Sequence, residues 1–207
     1  MLHSELIPAT DKNSHRLMVV LHGLGDSIEG WRWLPEAMNL PWLNYFLVNA
    51  PDEYYGGWSW FDLNDLAPGV LRSRKMLFDL LDNLRANNFP AEQITLAGFS
   101  QGSLMTMDVG LRYPHKFAGL VGISGWVFEL EKTVKEFSPV ALQQRLLMTH
   151  GTRDPIVPIE RVRPQIPLLK AAGLDVEWRE FQKAHTVYGE REIAAIRDFV
   201  RAGYLGK

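Results

Sequence analysis

The 207-residue chain contains no cysteine. Disulfides, thiolate metal sites and a cysteine nucleophile are thereby excluded, and the fold must rest on packing alone, which a chain of this length can supply. Charge of one sign is not in excess either. With 22 Lys and Arg against 24 Asp and Glu, no broad positive field exists to attract nucleic acid or an anionic membrane. A long apolar run is missing, and the opening MLHSELIPATDKNSHR is polar and acidic where a signal peptide or membrane span would be apolar. We therefore expect no nucleic-acid partner, no stable membrane insertion and a cytoplasmic location. Repeats, low-complexity tracts and Ser/Gly linkers are also lacking, so residues 1–207 are expected to form a single domain.

What is present is alternation. Short apolar runs at 17–21, 45–48, 94–97, 117–123, 145–149 and 176–181 have the length and composition of strands, and 5–9 adds an edge strand. Helical periodicity separates them. Leu77, Leu81 and Leu84 share one face after Gly69, Leu104, Met107 and Leu111 another after Ser100, and Ile193, Ile196 and Val200 a third. This order predicts an α/β fold with a mostly parallel sheet of six to seven strands and helices on both faces. Between Asp154 and Gly173 two prolines, Pro164 and Pro167, oppose one continuous helix, so an irregular stretch followed by a short helix is expected.

The stretch ITLAGFSQGSLMT places Gly98 and Gly102 around Ser100 where a strand gives way to a helix. Glycines at those two positions let the backbone fold back sharply and leave the serine at the apex, the G-x-S-x-G nucleophile elbow. A serine hydroxyl needs a base, and the base an orienting acid. Three histidines follow Ser100. His115 ends the elbow helix and reads as a surface residue, His150 closes a strand before the acid loop, and His185 follows the last strand, where the order Ser, Asp, His places the base. Asp154, in HGTRDPIVP, follows a strand in a tight turn. Asp108 on the elbow helix and Asp175 before the last strand point elsewhere. Two backbone N–H donors must meet the oxyanion. Gln101, directly after the serine, supplies one, and Leu24 in MVVLHGLGDS the other. On spacing alone that glycine-bearing loop could be a phosphate-binding turn, but it lacks the full G-x-G-x-x-G pattern and a P-loop lysine.

Taken in order, LHGLGD, NAPDEYYGGWSWFDL, GFSQG, HGTRDPIVP and AHTV resemble the carboxylesterase/phospholipase family of α/β-hydrolases, which includes the acyl-protein thioesterases. The resemblance spans nearly the whole chain and implies the α/β-hydrolase fold. It carries catalytic roles onto Ser100, Asp154 and His185, and hole roles onto Leu24 and Gln101. Two departures, Ala184 where relatives often have glycine and the two prolines after Asp154, bear on loop geometry. Trp58, Trp60 and Phe61 admit two readings: closing the core under a long loop, or lining a substrate pocket, which the resemblance favours. In the interval 124–145, Trp126, Val127, Phe128 and Leu130 are too few and too interleaved with charge for a large lipase-type lid, which leaves a partial cover over an acyl groove open. The expected activity is hydrolysis of carboxylic esters or thioesters through an acyl-enzyme, with neither metal nor cofactor. Alternatives are lysophospholipase or protein-depalmitoylating action on a lysophospholipid or acylated protein, and, in another class, a non-catalytic hydrolase-like binding protein.

Overall fold

The computed structural model describes residues 2–204. Seven strands form one sheet in the order β1-β3-β2-β6-β7-β8-β9: β1 (Ser4–Ile7), β2 (Leu17–Leu21), β3 (Asn44–Val48), β6 (Ile94–Phe99), β7 (Gly119–Ile123), β8 (Arg145–Gly151) and β9 (Asp175–Phe181). Only β1 runs antiparallel, pairing with β3 at the edge. The sheet matches the sequence expectation, edge strand included.

Alternate residues of one strand enter different cores, as the two-residue period of a strand requires. Leu17, Val19 and Leu21 face one layer, and Met18 and Val20 the other. The first layer is closed by α2 (Leu66–Ala86), α3 (Gln101–Gly110) and α6 (Gln165–Ala171). The second is closed by α1 (Leu34–Met38) and α7 (Gly189–Tyr204). Strand β2 sits between β3 and β6, so the chain winds first to one side of it and then to the other. Ligands of open α/β sheets collect at such a switch, beyond the carboxyl ends of the strands.

Three local expectations need correction. Helix α2 begins three residues before Gly69, because Pro68 in its first turn donates no hydrogen bond the helix would miss. The stretch after Asp154 is less irregular than expected. One turn, α5 (Ile159–Val162), precedes α6, which starts behind Pro164 and is followed by Gly173 at φ +94°. Finally, the aromatic segment is not a plain loop. β4 (Asp52–Tyr54) and β5 (Gly57–Ser59) form an antiparallel hairpin, turned by Tyr55 and Gly56, both at positive φ, as a two-residue hairpin turn requires.

Candidate active site

The elbow is set by backbone crowding. At Gly98 a Cβ would lie 2.2 Å from the Gly102 carbonyl oxygen, and at Gly102 a Cβ would lie 2.0 Å from that of Leu21, so neither position admits a side chain without displacement. Ser100 itself takes φ 54°, ψ −115°, a conformation L-residues rarely adopt. Its N–H donates to Ile123 of the neighbouring strand at 2.9 Å, which fixes the apex against the sheet.

Ser100 Oγ lies 2.9 Å from His185 Nε2, and His185 Nδ1 lies 2.7 Å from Asp154 Oδ2. A carboxylate only accepts, so Nδ1 carries the proton and Nε2 is left as the acceptor for the serine hydroxyl. The Asp154 side chain is fully buried. Its other oxygen accepts from the N–H groups of Ile156 and Val157, each at 2.9 Å. Phe99 packs against the imidazole with ring centroids 4.8 Å apart.

The other carboxylates and histidines lie outside this relay. Asp108 is buried on α3 between Arg74 and Arg112, each at 2.6 Å. Asp175 starts β9 and is exposed. His115 is half-buried rather than fully at the surface, its ring tilted against Tyr113 just beyond α3. His150 lies buried beneath the acid turn: its Nε2 donates to the Val157 carbonyl at 2.8 Å and comes within 3.7 Å of Asp154. Burial pushes His150 below the ordinary histidine value, although the Val157 carbonyl pulls the other way, so it is neutral at neutral pH.

The loop after β2 is equally ordered. Gly25 N–H donates to the Trp58 carbonyl at 2.9 Å, and Trp58 N–H to that of Asp26 at 3.0 Å, so the loop joins the hairpin as a third rail. The turn uses the N–H groups of Gly25 and Asp26 but not that of Leu24. Gln101 is the first residue of α3, a position whose N–H has no intrahelical acceptor. Both residues line a cleft of about 420 Å³ that contains Ser100 and His185. His22, to which the sequence reading gave no task, braces this loop. Its Nε2 accepts from Ala50 N–H at 3.0 Å while Nδ1 donates to the Gly23 carbonyl at 2.6 Å. Burial lowers its pKa as well. The signal available in sequence was its place directly behind the strand.

Trp58, Trp60 and Phe61 require a correction as substrate contacts. Trp60 and Phe61 are 0% exposed and cannot reach a ligand. Trp60 donates from its indole nitrogen to the His22 carbonyl at 2.9 Å. The Gln101 side chain clamps both backbones, accepting from Trp60 N–H and donating to the Phe61 carbonyl, each at 2.9 Å. Trp58 is half-buried, packs on the core and is not part of the cleft wall. The apolar wall comes instead from Leu24, Leu63, Leu66, Trp126, Ile156 and Val157. Of the interval 124–145, Trp126 reaches the cleft, and Val127 beside it is tied to Gln165 by two hydrogen bonds of 2.9 Å.

A serine on a strained elbow at the switch point of this sheet, bonded through histidine to a buried aspartate, defines an α/β-hydrolase. Residues 2–203 match the model of the phospholipase/carboxylesterase family, and the chain belongs to that family. Acyl-protein thioesterase 1 of Schizosaccharomyces pombe is 34% identical over 155 residues, 68% of this chain and 69% of the relative. Acyl-protein thioesterase 1 of Gibberella zeae is 30% identical, covering 95% and 93%. The crystal structure of esterase PE8 superposes with a TM-score of 0.87 at 26% identity, covering 97% and 98%. Among the described residues, no helix is long and apolar enough to cross a membrane.

Proposed function

We propose that this chain hydrolyses carboxylic esters and thioesters through an acyl-enzyme on Ser100, with His185 as base and acid and Asp154 as its orienting carboxylate. The observation that carries this reading is the continuous relay from Ser100 Oγ through His185 to Asp154. The family match over residues 2–203 and the single seven-stranded sheet support one catalytic domain.

In the first half-reaction, Ser100 Oγ attacks the carbonyl carbon as its proton passes to His185 Nε2. The carbonyl oxygen becomes an oxyanion, for which the N–H groups of Leu24 and Gln101 are the donors. Collapse breaks the bond to the alcohol or thiol, and His185 returns the proton to it. Water then repeats the sequence in reverse, its proton going to His185 and from there to Ser100 as the acid departs. Asp154 stays ionised and stabilises the imidazolium in both halves.

The relatives' names favour a second reading, removal of acyl groups from proteins. A cleft of about 420 Å³ open to solvent favours short and medium acyl chains, so p-nitrophenyl esters from acetate to palmitate, with an acyl thioester beside them, separate the two. A fluorophosphonate probe should label Ser100 alone, read by peptide mapping, and Ser100→Ala should lower kcat by about four orders of magnitude or more. Labelling elsewhere, or none, would remove Ser100 as the nucleophile.

A further inference from the structure

We propose that the cleft beside Ser100 selects esters whose acyl group carries a negative charge, and that Arg161 receives it. This rests on the esterase reading of the Ser100 site. Two recesses meet at Phe99 and His185. The first, about 420 Å³, holds Ser100 together with Leu24 and Gln101. The second, about 450 Å³, lies on the far flank of the imidazole against Thr186, Val187, Trp31 and Trp33, and does not include Ser100. His185 must deliver a proton to the departing atom, so the leaving group points toward the second recess. The acyl carbon stays bonded to Ser100 with its oxygen toward Leu24 and Gln101, so the acyl chain occupies the first.

Among the described residues, the side chains of the first recess leave two donors unused, the Trp126 indole N–H and the Arg161 guanidinium, and only the guanidinium is charged. The other polar side chains of the recess are already committed. Ser100 and His185 belong to the relay, the Gln101 amide holds the Trp60 and Phe61 backbone, and the Gln165 amide holds both backbone groups of Val127. Arg161 stands exposed at the solvent edge of this cleft. Its neighbour Arg163 is paired with Glu180, whereas the Arg161 side chain forms no ion pair among the described residues. Among the described residues, no acidic side chain lines the recess.

The second recess has the opposite sign. Among the described residues its one ionisable side chain besides His185 is Asp26, whose carboxylate is held by Ser27 N–H at 2.7 Å and by the Trp31 indole at 3.1 Å. The two recesses therefore present a cation to the acyl part and an anion to the leaving group. A carboxylate on the acyl chain is attracted, and the same carboxylate on the alcohol is repelled.

The test compares p-nitrophenyl hydrogen adipate with p-nitrophenyl hexanoate, and 4-carboxyphenyl hexanoate with 4-acetylphenyl hexanoate. Wild type should favour the adipate in kcat/KM by about tenfold at low ionic strength, chiefly through KM, the order of one contact to a charged group. The preference should shrink in about 1 M salt, where screening extends only ~3 Å. Arg161→Gln should bring the adipate-to-hexanoate ratio to about one, and Arg161→Glu should invert it. The 4-carboxyphenyl ester should be the poorer of its pair. Hexanoate turnover without an adipate preference overturns the proposal and leaves the esterase reading standing. A preference that survives in Arg161→Gln, or a preference for charge on the leaving group, also overturns it. Failure on every ester, without fluorophosphonate labelling, overturns the esterase reading instead.

Discussion

Ser100 and His185 meet at 2.9 Å, yet the chain holds the two partners there by different means. The serine side is a backbone device. Strands β2, β6 and β7 and the helix α3 converge so tightly that Gly98 and Gly102 have no room for a Cβ, and the backbone of Ser100 is held at its unusual φ by main-chain bonds, its N–H to Ile123 at 2.9 Å and its carbonyl from Leu104 at 3.1 Å. The histidine side is a side-chain device. Lys183 Nζ lies 2.6 Å from Glu192 Oε1, both side chains fully buried, and the other oxygen of Glu192 accepts from Tyr188 N–H. One carboxylate on the first turn of α7 thus ties the loop that bears His185 at both its ends. A backbone device tolerates no substitution at its tightest points, whereas a buried ion pair can be exchanged for a well-packed apolar pair with little loss.

This contrast is sharpest at the glycines. Gly102→Ala forces overlap with the Leu21 carbonyl and should cost about 4 kcal/mol or more, enough to prevent recovery of folded protein; a folded, active Gly102→Ala enzyme would show that the elbow can yield. Asp154→Asn lies next in size. It keeps the shape, but its amide can turn an N–H toward His185 Nδ1 and stabilise the wrong tautomer, so kcat near neutral pH should fall about a thousandfold or more while circular dichroism stays unchanged. Near-wild-type turnover would remove Asp154 from the relay.

On the histidine side, Lys183→Met alone strands the Glu192 charge and should cost about 3 kcal/mol in denaturant unfolding. The double variant Lys183→Met/Glu192→Leu should recover most of that stability. Its kcat should recover less, because Tyr188 N–H then loses its acceptor and the loop its second tie. A double variant no more stable than the single one would mean the clasp is as irreplaceable as the elbow.

The smallest effect concerns the neutral imidazoles that brace each side, His22 behind the Leu24 loop and His150 beneath Asp154. Both have folded pKa values below the ordinary ~6.5. As pH falls through that value the unfolded chain takes up protons that the folded chain refuses, so stability declines with acidification. The slope reaches at most about 1.4 kcal/mol per pH unit for each ring, or roughly 2–4 °C in Tm per kcal/mol for a chain of this size. Melting curves between pH 7.5 and 5 check this, and His150→Gln should lessen the slope; the same slope in that variant would assign the loss to other groups.

The contrast also explains what could be read in the sequence. The strands were legible because each is a short apolar run between turn residues, and the elbow because steric demand writes itself as glycine. The pairing of Asp154 with His185 was legible only as an order along the chain. The tasks of Trp60 and Phe61 were not: an aromatic-rich segment looks the same whether it faces a ligand or the core, and only the Gln101 clamp and the His22 carbonyl decide the matter. The Lys183–Glu192 clasp left no trace, since two opposite charges nine positions apart look like any solvated surface. Part of the cleft wall was missed too, as Leu63 and Ile156 are exposed and belong to no periodic pattern.

The bonds between the Leu24 loop and the Trp58 strand run from main chain to main chain, so the disorder of that loop is lost once, when the chain folds. Acylation need not close it again in each cycle. The activation entropy of the chemical step should therefore be small and nearly the same for acetate and hexanoate esters, and the temperature dependence of turnover should report the enthalpy of bond making rather than the ordering of a loop.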